Sequence, residues 1–76
     1  MIIGAFKLLI FSPVDRAGLV VEIYADGQGV AEISEEIPGE FKIAIFPKRD
    51  GEIWSFDYKD FQAALSIAVT RLRDGG

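Results

Sequence analysis

Residues 54–72 read Trp54-Ser55-Phe56-Asp57-Tyr58-Lys59-Asp60-Phe61-Gln62-Ala63-Ala64-Leu65-Ser66-Ile67-Ala68-Val69-Thr70-Arg71-Leu72, and the apolar spacing changes partway through. Trp54, Phe56 and Tyr58 recur at every second residue, the period of a strand that shows one face. Phe61, Leu65, Ala68, Val69 and Leu72 recur at helical spacing. A one-faced strand that runs into an amphipathic helix buries both stripes together when the helix folds back onto the sheet. The pattern predicts an α+β fold, with a five-stranded, mostly antiparallel sheet and one C-terminal helix packed on one face.

The preceding segments supply the other strands. A turn at Lys48-Arg49-Asp50-Gly51 joins a strand over 41–46 to one over 52–58, pairing Ile45 with Trp54, Ile43 with Phe56 and Phe41 with Tyr58, and setting Lys42 beside Asp57. Asp26-Gly27-Gln28-Gly29 is a second turn, between strands over 19–25 and 30–34. A loop of Asp26, Gly27 and Gln28 pairs Ile23 with Ala31 and Val21 with Ile33, which keeps one apolar face continuous. It also sets Glu22 opposite Glu32, where like charges repel. The first segment, 2–11, is apolar on both sides and reads as a strand covered on both faces. Ser12-Pro13-Val14-Asp15-Arg16-Ala17-Gly18 reads as the first loop, and 35–40 as a loop around Pro38-Gly39. The helix begins near Lys59 or Asp60, with Asp57 or Asp60 at its positive end, and ends near Arg73, with Arg71, Arg73 and Gly75 closing it. A meander and an order with the first strand in the centre both satisfy this pattern.

A chain of 76 residues is read as one domain, and a domain so small buries only about 60% of the surface its unfolded form exposes. Disulfides, metals or oligomerisation usually make up the shortfall. There is no cysteine and no histidine. With half the residues hydrophobic, self-association is the remaining means of support, and a homodimer is expected. The apolar opening is too short to span a membrane and carries no small-residue cleavage motif of a signal peptide. Together with the absence of cysteine, this predicts a soluble, cytoplasmic protein.

Catalytic constellations are scarce. Ser12, Ser34, Ser55, Ser66 and Thr70 lie in neither a G-x-S-x-G nor an S-x-x-K context, and Gly27 and Gly29 fall between two strands rather than before a helix that would bind phosphate. No catalytic, cofactor-binding or metal-ligating residue is assigned, and the chain reads as a non-enzymatic binding or assembly domain. Two surfaces are candidates. Between Arg16 and Lys42 six of the 12 acidic residues occur with no base among them; Glu22, Glu32, Glu35 and Glu36 would form an acidic surface that steers a basic protein partner, as an inhibitor or immunity-type factor does. On the sheet face away from the helix, Leu9, Phe11, Val20, Tyr24, Phe46 and Ile53 would form an apolar interface for a second copy or another partner. A different class of function, single-stranded nucleic-acid binding, would use Tyr24, Phe46 and Phe11 as a stacking platform with Lys7, Lys42, Lys48 and Arg49 on phosphates. The net charge of −4 opposes it, since phosphate binding needs a clustered positive field.

The ending Arg71-Leu72-Arg73-Asp74-Gly75-Gly76 is similar to the ubiquitin-type modifiers in its Gly-Gly tail, as is the chain in its length. It departs from them where the helical pattern reaches Leu72 or Arg73 and where Asp74 interrupts the tail. The two glycines therefore read as a helix stop.

Overall fold

Gly4 divides the first apolar run. At φ 57° it occupies the left-handed region that glycine enters without a side-chain penalty, and the chain reverses there into a hairpin. In this computed structural model, which describes residues 1–15 and 18–75, β1 (Ile2–Ile3) and β2 (Phe6–Phe11) are the two arms, with Ile2 opposite Lys7 and Ile3 opposite Phe6. β3 (Val20–Ala25), β4 (Gln28–Ile37) and β5 (Glu40–Ile45) follow, and α1 (Tyr58–Arg73) is the last element. The strands form a meander in the order β1-β2-β3-β4-β5, each antiparallel to its neighbour. Arg16 and Ala17 of the first loop, and Gly76 of the tail, lie outside the described residues.

The fold class is as the apolar periods predict, but the five strands are not the same five. One is gained where 2–11 splits at Gly4. One is lost at 52–58, where residues 52–57 form no ladder and Tyr58 already opens the helix, so the pairs of Ile45 with Trp54, Ile43 with Phe56 and Phe41 with Tyr58 do not form. Burial still alternates there, with Trp54 and Phe56 half-buried and Ser55 and Asp57 exposed, so the period of two is real up to the helix. Phe56 turns its ring to Phe6 of β2. Phe56 meets Phe6 edge to face at 4.8 Å between centroids and stacks on Phe61 at 5.5 Å, while Trp54 stacks on Phe56 at 5.2 Å. The Trp54 indole N–H donates to the Phe46 carbonyl at 3.0 Å, which satisfies the one polar atom of that ring.

The β3–β4 register matches the reading of the sequence: Ile23 opposes Ala31, Val21 opposes Ile33 and Glu22 opposes Glu32. It is reached differently, through a two-residue turn with both central φ angles positive (Asp26 52°, Gly27 72°) and a register shift beside Ile23 and Tyr24. The β2 residues Phe6 and Leu8 are buried whereas Leu9 and Phe11 are exposed, so this strand is covered on one face only.

Helix α1 begins earlier than its periodicity suggests, because Asp57 is the N-cap, with extended backbone and a carboxylate that accepts from the Asp60 N–H at 3.1 Å. Arg71 and Arg73 lie in its last turn, and the Gly75 N–H donates to the Leu72 carbonyl at 3.3 Å. Ala64 and Ala68 are fully buried, and their small side chains let the helix lie close to the sheet. It rests on β1 to β4. Among the described residues no helix is long and apolar enough to cross a membrane.

Replacing Phe6 with alanine should remove about 3–5 kcal/mol of stability, and replacing Asp57 with alanine about 1 kcal/mol. Urea unfolding followed through the fluorescence of the single tryptophan, which stacks beside Phe56, measures both. Equal losses would contradict the ranking.

Candidate interaction surface

All six residues of β5 are exposed, and four of them are apolar. This follows from the position of the helix. The contacts among Phe6, Phe56 and Phe61 draw the start of α1 over β2, and a single helix about 10 Å across cannot cover strands spaced about 4.8 Å apart over a whole five-stranded sheet. Phe41, Ile43 and Ile45 point to the helix side, since Ile43 and Ile45 oppose the buried Ile33 and Ala31. They remain 37%, 46% and 64% exposed.

Between β5 and the helix runs an apolar trough. One part, about 200 Å³, lies between Phe41 and Ile43 of the strand and Leu65 and Val69 of the helix; the other, about 350 Å³, lies among Ile45, Trp54, Tyr58 and Phe61. The helix side chains Phe61, Leu65 and Val69 are only partly buried. The turn before β5 is closed by Glu35, whose carboxylate accepts from the Gly39 N–H at 2.7 Å.

The backbone of β5 is oriented as definitely as its side chains. The Phe46 N–H donates to the Val30 carbonyl at 2.8 Å, and in an antiparallel ladder such pairs alternate. Lys42 and Ala44 therefore turn their N–H and C=O groups toward β4, as Phe46 does its N–H, while Phe41, Ile43 and Ile45 turn theirs to the outer edge. Pro38 and Pro47, which have no N–H, bracket that edge.

The opposite face of the sheet carries the residues expected there in part. Leu9 and Phe11 are exposed on β2, and Tyr24 and the ring of Phe46 come together over Gly29, where a Cβ would stand 3.6 Å from the Phe46 ring. Val20 shares that face but is fully buried, so it offers no surface to a partner. Ile53 is 84% exposed in the segment after β5 and lies outside the sheet altogether. Between Tyr24 and Phe46 at one end and Phe11 at the other runs the row of Leu9, Glu22, Glu32 and Ala44, and its two carboxylates divide the apolar residues. The acidic residues are dispersed as well: Glu22 and Glu32 oppose each other, Glu35 is held at the β4–β5 turn, and Glu36 is exposed near the end of β4.

The residues missed in the sequence as interface candidates are Phe41, Ile43 and Ile45. Their alternation was plain, but pairing them with 52–58 under the helix assigned them to the core.

A cleft of about 350 Å³ on the other side of Trp54 and Phe56 is bounded by Asp26, Lys48, Asp57 and Asp60; of these, Asp57 is occupied as the helix cap and Lys48 lies 5.6 Å from the Trp54 ring centroid. Among the described residues no group of three or more acidic side chains is placed to hold a metal ion. Comparison with protein-family models, curated proteins and solved structures gives no match.

The Tyr24 hydroxyl donates to Glu22 Oε1 at 2.7 Å. That bond, reinforced by the carboxylate's negative charge, raises the tyrosine pKa above its ordinary value. A raised folded-state pKa makes its contribution to stability complete below about pH 10, and that contribution is lost as pH rises through the folded value. In a Tyr58→Phe background, the phenolate absorbance of Tyr24 should therefore titrate later than that of free tyrosine, and Glu22→Gln should bring it back down. A titration unmoved by Glu22→Gln would remove the hydrogen bond as the cause.

Proposed function

We propose that this chain is a non-enzymatic assembly domain that binds another polypeptide by strand addition at β5. The observation that carries the reading is the state of β5: both faces are exposed along all six residues, and three of them direct backbone donors and acceptors away from the sheet. An added strand satisfies those groups, and every second side chain of that strand enters the trough against α1, the arrangement by which sheet edges capture extended peptides. Binding of a basic protein through Glu22, Glu32, Glu35 and Glu36, and stacking of single-stranded nucleic acid on Tyr24, Phe46 and Phe11, draw less support. The carboxylates are dispersed, and Glu22 and Glu32 interrupt the aromatic residues.

The test uses labelled chain at nanomolar concentration, titrated with an unlabelled peptide of alternating threonine and valine, with fluorescence anisotropy as the readout. The expected result is saturable binding that Ile43→Pro weakens by roughly tenfold, because that substitution deletes an outward N–H and leaves the β4 ladder intact. Equal binding by the two proteins, or saturation by neither, would overturn strand addition.

A further inference from the structure

We infer that the occupant of the β5 edge is β5 of a second copy, paired antiparallel about a two-fold axis at Ile43. The inference rests on the strand-addition reading and adds the partner and the register. β5 is complementary to itself in one alignment. With Ile43 opposite the partner's Ile43, Phe41 falls opposite the partner's Ile45 and Lys42 opposite the partner's Ala44. Every residue whose backbone faces outward then meets another that does, giving about six hydrogen bonds, two at each of three pairs.

Neighbouring registers are worse for identifiable reasons. A slip that pairs odd with even positions sets outward-facing groups against residues whose groups are committed to β4. An axis at Lys42 puts two lysines face to face, a destabilising pair. An axis at Ala44 brings Phe41 against the partner's Pro47, which has no N–H to donate.

The favoured register leaves no like charges directly opposite. It also places the exposed apolar side chains of the two strands side by side on the helix side, aromatic against β-branched at its ends, a favourable cross-strand combination. A two-fold interface of this kind uses one surface patch twice. It would give a small chain without cysteine or histidine the oligomeric support that domains of its size often need.

Charge exchange at position 43 tests the register. Ile43 is already 46% exposed in the single chain, so Ile43→Lys and Ile43→Glu should fold, as circular dichroism would verify. At micromolar concentration light scattering should give the wild type about twice its 8.4 kDa mass and each variant a single mass, with dimerisation weakened roughly tenfold or more. An equimolar mixture of the two variants at low salt should recover the dimer, because position 43 then faces its opposite charge. A monomeric wild type, dimeric single variants, or a mixture that stays monomeric would overturn the proposal.

Hydrogen exchange on the wild type reads the same interface without substitution. The amides of Phe41, Ile43 and Ile45 should gain protection as concentration rises, whereas those of Lys42 and Ala44 should be protected throughout; outward amides indifferent to concentration would overturn the pairing. If the dilute chain captures the threonine–valine peptide yet stays monomeric alone, strand addition stands and self-pairing falls. If it does neither, both fall.

Discussion

The contacts among Phe6, Phe56 and Phe61 govern where everything else in the molecule lies. Phe6 is buried in β2, near one edge of the sheet, and Phe56 and Phe61 stand on either side of the Asp57 helix cap. Once those rings meet, the segment after β5 must cross back over the sheet, and α1 must start above β2. The cost of leaving such large rings in water, about 1.5–3 kcal/mol each, outweighs the small cross-strand terms of about 0.2–1 kcal/mol that a ladder with β5 offers per pair. This difference in magnitude is why aromatic residues with a clean strand period form no strand.

Much of the fold was legible because antiparallel neighbours impose local rules. The face of Val21, Ile23, Ala31 and Ile33 could be read from alternation, and the Glu22–Glu32 opposition followed from it. An acid at the start of the helix, Asp57 or Asp60, and the arginines of its last turn were equally visible, though not which of the two acids caps it. Two features were hidden. Gly4 looked like the interior of a long strand because its flanking residues are apolar on both sides, and a positive φ leaves no trace in hydrophobicity. The destination of Phe56 was a choice between two apolar neighbours, β5 and β2, that periodicity cannot distinguish.

That second choice decided the surface too. An apolar surplus was expected on the side away from the helix, from the idea that a helix covers its own side completely. In the structure the helix lies off-centre, and the surplus is beside it, on β5. The opposite face is more mixed, with Val20 enclosed, Tyr24 bonded to Glu22 and the carboxylates of β3 and β4 running through its middle. Apolar residues were thus identified correctly as a set, while their division between core and surface depended on one long-range contact.

The meander leaves β5 joined to the rest of the sheet by one ladder alone, that with β4. A segment with so few buried contacts has a low free energy of local opening, and it frays before the strands beneath the helix do. Because β5 is also the strand that a ligand would grasp, its order and its occupancy are linked: whatever binds the paired form lowers the fraction of time the strand spends detached. On the proposed strand addition, the last strand of the sheet is the place where a change in concentration of a binding partner would become a change in the backbone dynamics of this protein.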